Sequence, residues 1–154
     1  GILHIKVNEE TPALLLKKEI GFTVLSASGD YIRAVLSREY FPNLPVITGV
    51  GAENAASQAT AILKVIDKKL SQVRGLVFVG QRRWNIIMTS GQIIMLPENN
   101  PEQAIQKILI LDKAEQILSR QIAVFDFRLP SRITLRIPSD NYSQTNSEII
   151  GVRN

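Results

Sequence analysis

The sequence predicts an α+β domain in which about two helices pack on one antiparallel β-sheet. Three features support this: short apolar or alternating segments recur along the chain, turn-forming residues separate them, and two longer stretches carry apolar residues at helical spacing. The chain has 154 residues, of which 45% are hydrophobic and 21% are charged. Such a chain can bury a core and is expected to form one domain, or one domain with part of another.

The amino-terminal part is predicted to be rich in strands. Apolar and polar residues alternate over residues 2–7, as expected for a strand with one buried face. Residues 13–18 and 22–26 predict two further short strands. Residues 31–40 are compatible with either a strand or a helix, and the two prolines within residues 41–45 predict a loop.

Two stretches have the apolar spacing of amphipathic helices. The first spans residues 53–70. The second begins with Asn100 at the N-cap position, Pro101 at the first helical position and Glu102 near the positive end of the helix. Its apolar stripe predicts that this helix continues to Ser119.

The other regular segments are predicted to be strands. Residues 76–79, 83–88 and 92–96 are short β-rich runs, and a Thr-Ser-Gly sequence before the third run predicts a hairpin turn. Residues 122–127 and 132–137 predict two more strands joined by a turn. Polar residues dominate the sequence beyond them, which predicts a frayed tail.

Composition restricts the class of protein only modestly. The chain has no cysteine, so disulfides and thiolate metal sites are excluded, whereas reducing and oxidising compartments are both compatible. No apolar run reaches the roughly 18–20 residues that span a bilayer. Because Gly1 is followed at once by a strand-like segment, we expect the chain to be part of a longer protein that can carry an anchor or signal elsewhere.

A glycine motif precedes the first predicted helix. Gly49 and Gly51 are followed by Asn54, so the third small residue of the dinucleotide-binding fingerprint is missing. The acidic residue expected about 20 positions later is missing as well, because Asp67 lies inside the predicted helix. The motif is therefore interpreted as a glycine loop that leads into a helix.

No arrangement of side chains typical of an enzyme occurs in the sequence. His4, the only histidine, has no partner for a metal site or a catalytic triad. Asp126 is interpreted as a structural partner of Arg128, two residues along the same strand face, rather than as a lone catalytic acid. Because no nucleophile, base and orienting group occur together, an enzyme is disfavoured.

The only tryptophan follows a basic pair. Arg82 and Arg83 beside Trp84 have the composition of a nucleic-acid site that binds by charge and stacking. However, no basic stripe extends the pair, and the net charge of the chain is only +4. Trp84 is therefore interpreted as a structural anchor in the core or at a sheet edge.

The last predicted strand has two different faces. Its apolar residues are expected to face inward and its polar residues outward, that is, Ile133, Leu135 and Ile137 against Arg132, Thr134 and Arg136. Outward arginines protect an edge strand from unwanted pairing. The same edge can accept a partner strand, with the charges selecting the partner. The residues themselves favour neither interpretation.

Three motifs of the chain carry a resemblance to a known family. They are RRWNIIMTSGQIIMLPE at residues 82–98, IAVFDFRLPSRITLRI at residues 122–137 and LHIKVNEETPALLL at residues 3–16. The first resembles the tryptophan strand, glycine turn and Leu-Pro strand of the FtsQ/DivIB bacterial division proteins. The second resembles the Asp-Leu-Arg strand and closing strand of that family, in the form of its alphaproteobacterial branch. The third is similar to the end of the POTRA module that precedes the β-domain of the family.

This resemblance implies a single-pass inner-membrane protein whose periplasmic part is a POTRA module followed by a β-domain. Residues 1–25 are then the last strands of the POTRA module, residues 26–138 the β-domain and residues 139–154 a flexible tail. The family is a scaffold of the divisome, has no enzymatic activity or cofactor, and recruits FtsB and FtsL. One alternative stays open, a POTRA-linked β-domain that serves outer-membrane protein transport.

The resemblance also implies a partner-binding site. Arg128 matches the family arginine that pairs with a partner carboxylate, and Leu129 and Ser131 match turn positions used in contact. The position nearest to a second binding arginine of the family is occupied by Gln81. In the family a segment of FtsB adds to the closing strand, which favours the docking interpretation of the edge. The other residues implied in binding are Arg82, Arg83, Arg132, Ile133, Thr134, Leu135, Arg136 and Ile137.

Overall fold

The structure, a computed structural model, describes residues 1–3, 10–67, 72–129 and 131–137 of the chain. Over these residues it contains two α-helices and nine strands. The helices are Ala56–Ile66 (α1) and Pro101–Glu115 (α2). The strands are Leu14–Lys17 (β1), Phe22–Leu25 (β2), Tyr31–Val35 (β3), Val46–Thr48 (β4), Val73–Val79 (β5), Arg83–Met88 (β6), Ile93–Met95 (β7), Val124–Leu129 (β8) and Arg132–Arg136 (β9).

The nine described strands join one sheet in the order β3-β2-β1-β4-β5-β6-β7-β8-β9. The predicted α+β fold, with two helices on a sheet, is confirmed. The sheet is mixed rather than purely antiparallel, because β1–β4, β4–β5 and β7–β8 are parallel pairs. The chain crosses from β4 to β5 through α1 and from β7 to β8 through α2. Such a crossover starts the next strand at the same end of the sheet as the previous one.

Residues 31–40, which were compatible with either a strand or a helix, form strand β3 and then a 3₁₀-helix at Arg38–Tyr40. The first predicted helix begins with a 3₁₀ turn, and α1 ends at Ile66. Most of the predicted strand at residues 2–7 and the whole predicted tail at residues 139–154 lie outside the described residues.

The second helix begins where predicted and ends earlier. Pro101 is its first residue and Asn100 is at the N-cap position, although Asn100 is left-handed (φ 52°) and its side chain makes no capping hydrogen bond. At the other end Gln116 also adopts a left-handed conformation (φ 50°), so α2 stops at Glu115. The stretch up to Ser119 is a short 3₁₀-helix instead.

Both helices lie on the same face of the sheet and bury the larger of two apolar clusters there. Trp84 on β6 is 1% exposed within this cluster. Its indole N–H donates to Gln58 Oε1 on α1 at 3.0 Å, and its ring centroid lies 4.6 Å from that of Phe78 on β5. Trp84 therefore ties α1 to the middle of the sheet. A smaller apolar cluster on the opposite face packs against Phe41 and Leu44 from the segment after β3.

Gly49, which directly follows β4, is required by a close approach between neighbouring strands. Its φ is +116°, and a β-carbon at this position would lie 2.3 Å from the carbonyl oxygen of Phe78 on β5. Backbone packing thus accounts for this glycine of the motif that precedes α1.

Replacing Gly49 with Ala is expected to lower the free energy of unfolding by about 2–4 kcal/mol, through backbone strain and overlap with the neighbouring strand. Gly91→Ala is the matched control, because Gly91 has φ +85° but no atom within 4 Å of the added β-carbon. The control is expected to lose only about 1–2 kcal/mol. Urea unfolding of both variants measures the difference, and equal losses would show that the approach to Phe78 contributes nothing.

Candidate functional site

Strand β9 is the last strand of the sheet and, among the described residues, pairs on one side only. Its partner is β8, where Phe125 lies opposite Leu135. The carbonyl oxygen of Arg136 accepts a hydrogen bond from the N–H of Ala123 at 2.8 Å, so the main chain of Arg136 points toward β8. Successive residues of a strand turn their main-chain groups to opposite sides. The main-chain groups of Ile133 and Leu135 therefore point to the open edge.

The prediction that the apolar residues of this strand face inward to the core is wrong. Ile133, Leu135 and Ile137 are 44%, 48% and 81% exposed. Alternation places Leu135 on the helix side of the sheet, opposite the buried Phe125. The two described helices, however, pack over the inner strands and leave the edge strand uncovered. The apolar side chains of β9 are therefore available to another molecule.

A groove lies between the start of α2 and the hairpin of β8 and β9, on the helix side of the sheet. It has a volume of about 380 Å³ and is lined by Phe127, Leu129 and Ile133 from the hairpin and by Gln103 and Lys107 from α2, among others. We call this feature the apolar groove. Its residues come from segments far apart in the sequence, so no local pattern predicted it.

The opposite side of the same hairpin carries a pocket of about 400 Å³ that is lined by four arginines. We call it the arginine pocket, and its arginines are Arg83, Arg128, Arg132 and Arg136. Asp126 is the only acidic residue among the described residues that line it. The pocket is therefore strongly cationic, and it borders the open edge of β9.

Asp126 and Arg128 form a bidentate ion pair. Arg128 Nε donates to Asp126 Oδ1 at 2.8 Å and Arg128 Nη2 donates to Asp126 Oδ2 at 2.6 Å. The Arg128 main-chain N–H also donates to Oδ1 at 3.1 Å. These hydrogen bonds lower the pKa of the Asp126 carboxyl although its burial opposes them, and the same contact raises the pKa of the Arg128 guanidinium. Arg128 is thus oriented while its side chain stays 39% exposed.

Arg83 has no comparable partner among the described residues. Its Nε–H is buried and donates to no hydrogen-bond acceptor there. Burial, followed by the positive charges of Arg128 and Arg82, lowers the pKa of the Arg83 guanidinium. Arg82 itself lies 3.9 Å from a carboxylate oxygen of Glu98 in an exposed ion pair. The arginine pocket therefore contains cations that repel one another.

The structure brings most of the implied binding residues together and separates others. Those that line the arginine pocket are Arg83, Arg128, Leu129, Arg132, Thr134 and Arg136. Ser131 lines the apolar groove instead. Gln81 lies in the turn between β5 and β6, beside Gly51 and away from both features. Arg83, rather than Gln81, is thus the neighbour of Arg128 in space.

Replacing Asp126 with Asn tests the ionic basis of this pair. At neutral pH the variant is expected to be less stable by about 1–2 kcal/mol, because charge-assisted hydrogen bonds are lost. Since the pKa of Asp126 is lowered by folding, this stabilisation is present above the unfolded-state pKa of about 3.9 and is lost as pH falls through the folded-state pKa. Urea unfolding across acidic and neutral pH measures the difference between the two proteins. A difference that does not shrink below about pH 4 would contradict an ionic contribution.

Two other kinds of feature are absent from residues 1–3, 10–67, 72–129 and 131–137. No group of three or more His, Cys, Asp or Glu side chains there could hold a metal ion. No helix there is both long enough and apolar enough to cross a membrane. What the hairpin does present is a row of main-chain groups between a cationic pocket and an apolar groove, which suits the binding of an extended polypeptide.

Comparison with known proteins gives matches along most of the chain. A family model described as cell division protein FtsQ/DivIB, C-terminal, matches residues 14–128, so β9 lies beyond the matched part. The cell division protein FtsQ of Dinoroseobacter shibae is 36% identical over 140 residues, which are 91% of this chain and 47% of that protein. FtsQ of Paracoccus denitrificans is 36% identical over 137 residues, which are 89% of this chain and 40% of that protein. The chain spans less than half the length of these curated relatives.

A solved structure is also similar. It is the major extracytoplasmic domain of the trans isomer of the cell division protein DivIB from Geobacillus stearothermophilus, with a TM-score of 0.48 and 12% sequence identity. The match covers 74% of this chain and 100% of that one.

Proposed function

Because the chain belongs to the FtsQ/DivIB family of bacterial cell division proteins, which are not enzymes, we propose that it is a scaffold that recruits FtsB- and FtsL-type proteins to the division machinery. In this proposal a segment of the partner adds as a strand to β9. The observation that carries it is the open β9 edge beside the Asp126–Arg128 pair. Membership of a cell division family gives no support to the alternative, in which the chain would serve outer-membrane protein transport.

Main-chain groups of β9 would supply most of the affinity. The N–H and C=O groups of Ile133 and Leu135 point away from β8, so a partner strand can use them without breaking a bond of the existing sheet. In strand addition, main-chain hydrogen bonds give affinity and side-chain pockets give specificity. The exposed apolar side chains of the same two residues add contact area on the helix side.

Arg128 would supply charge selection. Its guanidinium has more N–H donors than the Asp126 carboxylate uses, so a second carboxylate can bind to the same group. Because the Asp126 pair already fixes the side chain, little rotamer entropy is lost when a partner carboxylate binds.

We further propose that this part of the chain lies in the periplasm and that an amino-terminal anchor outside this chain holds it at the inner membrane. A fusion of the full-length protein to a reporter enzyme that is active only outside the cytoplasm tests the location. Activity of the reporter is expected, and an inactive but intact fusion would contradict a periplasmic location.

Amide hydrogen exchange with and without a bound FtsB-type partner tests strand addition directly. The N–H groups of Ile133 and Leu135 are expected to exchange more slowly in the complex. Strand β3, at the other edge of the described sheet, is the internal control and is expected to be unaffected. Slower exchange in β3 with no change in β9 would overturn the proposal.

A further inference from the structure

We propose that the segment that adds to β9 is an amphipathic strand with the pattern acidic, apolar, any residue, apolar, acidic. Its two acidic residues lie opposite Arg132 and Arg136, and its two apolar residues lie opposite Ile133 and Leu135. This inference rests on the proposed function, because it specifies the chemistry of the partner at the same edge.

Charge is the first argument for this pattern. Within the described residues, the only carboxylate lining the arginine pocket is that of Asp126, and both of its oxygens accept hydrogen bonds from Arg128. None of the ion pairs found among those residues involves Arg83, Arg132 or Arg136. A docked strand with acidic side chains on this face would supply the missing counter-charge. Opposite charges on directly opposed residues of neighbouring strands attract each other.

Apolar area is the second argument. Ile133 and Leu135 alternate with the arginines along β9 and are 44% and 48% exposed on the helix side. The apolar groove beside them is lined by Phe127 and Leu129. Apolar side chains of an added strand that lie opposite Ile133 and Leu135 would remove this surface from water.

Because side chains alternate between the two faces of a strand, the charged and the apolar requirements combine into one sequence pattern. Arg132, Thr134 and Arg136 share one face, and Ile133 and Leu135 share the other. A slip by one residue would place the acidic side chains over the apolar groove and the apolar side chains over the arginines. Because the pattern is the same in both chain directions, it applies to a parallel and to an antiparallel partner strand.

Two soluble peptides with the same composition test the inference on the full chain. One has the core Glu-Val-Thr-Val-Glu and the other has the core Val-Glu-Thr-Glu-Val, each flanked by Gly and Ser. Each opposed ion pair is worth about 1.4- to 5-fold in affinity, so the first peptide is expected to bind at least about tenfold more tightly once the misplaced charges of the second are included. Fluorescence anisotropy of labelled peptides measures both affinities.

Charge reversal provides the specific control. The double variant Arg132→Glu with Arg136→Glu is expected to lose binding of the acidic peptide and to bind a peptide with the core Lys-Val-Thr-Val-Lys. The matched variant Lys64→Glu changes an exposed charge on α1, far along the chain from β9, and is expected to bind like the unmodified protein. Circular dichroism confirms that each variant is folded.

The outcomes separate this inference from the proposed function. Equal binding of the two acidic peptides would overturn the pattern. The pattern would also be overturned if charge reversal at Arg132 and Arg136 left capture of the natural partner unchanged. If neither peptide binds but a proline in β9 abolishes capture of the natural partner, the pattern is overturned and strand addition is retained. Capture that survives the proline would overturn strand addition itself, and the pattern with it.

Discussion

Arg128→Glu is expected to abolish co-purification of the chain with an FtsB-type partner. The substitution removes the guanidinium that would bind the partner carboxylate. It also places a second carboxylate beside Asp126, which loses both of its side-chain hydrogen-bond donors. Truncating one partner of a desolvated charge pair in an interface costs about 2–5 kcal/mol, and reversing its sign costs at least as much. Co-expression with the partner and affinity purification of the complex measure the loss.

Stability must be followed in the same experiment, because the variant also loses the Asp126–Arg128 pair. We expect a reduction of about 1–2 kcal/mol, similar to that of Asp126→Asn, and a folded protein by circular dichroism. Lys64→Glu, which makes the same change of sign on the exposed side of α1, is expected to retain the partner. A folded Arg128→Glu protein that binds its partner normally would remove Arg128 from the binding site.

Leu135→Pro is expected to block strand addition while leaving the sheet largely intact. The N–H of Leu135 points to the open edge, so proline removes a donor that the partner needs and no hydrogen bond to β8. Thr134→Pro is the matched variant, because alternation from Arg136 directs the N–H of Thr134 toward Asp126 on β8. That variant is expected to lose about 2–3 kcal/mol of stability, clearly more than Leu135→Pro.

A third variant isolates the main-chain contribution at this position. Leu135→Ala shortens the side chain and keeps the N–H, so it is expected to weaken partner binding without abolishing it. Partner affinities of the three variants are measured together with their urea unfolding. If Leu135→Ala and Leu135→Pro bind equally well, the edge-facing N–H plays no part in recognition.

Local sequence patterns were sufficient to predict most of the helices and strands. The apolar spacing of α2 and its Pro101 gave the correct start of that helix, and alternation with turn residues located β6, β8 and β9 to within about two residues. The parallel pairs were not predicted, because strand direction depends on where each crossover returns the chain, which is a property of the whole sheet.

The candidate site was only partly predictable for a similar reason. Alternation correctly put Ile133 and Leu135 on one face of their strand, but it says nothing about whether another element covers that face. Arg83 and Arg128 meet because β6 begins at the end of the sheet where β8 ends, which no local pattern contains. The apolar groove likewise depends on the position of α2 relative to the hairpin.

The arginines of β9 also bear on self-association of the chain. If two copies met at this edge in an antiparallel arrangement centred on Thr134, Arg132 of each copy would lie directly opposite Arg136 of the other. Like charges at directly opposed positions destabilise strand pairing. A sheet edge has room for one strand at a time, so a homodimer and a complex with an acidic partner strand would compete for it. The charge pattern of β9 thus makes the strand a poor template for its own copy and keeps the edge vacant for a partner of opposite charge.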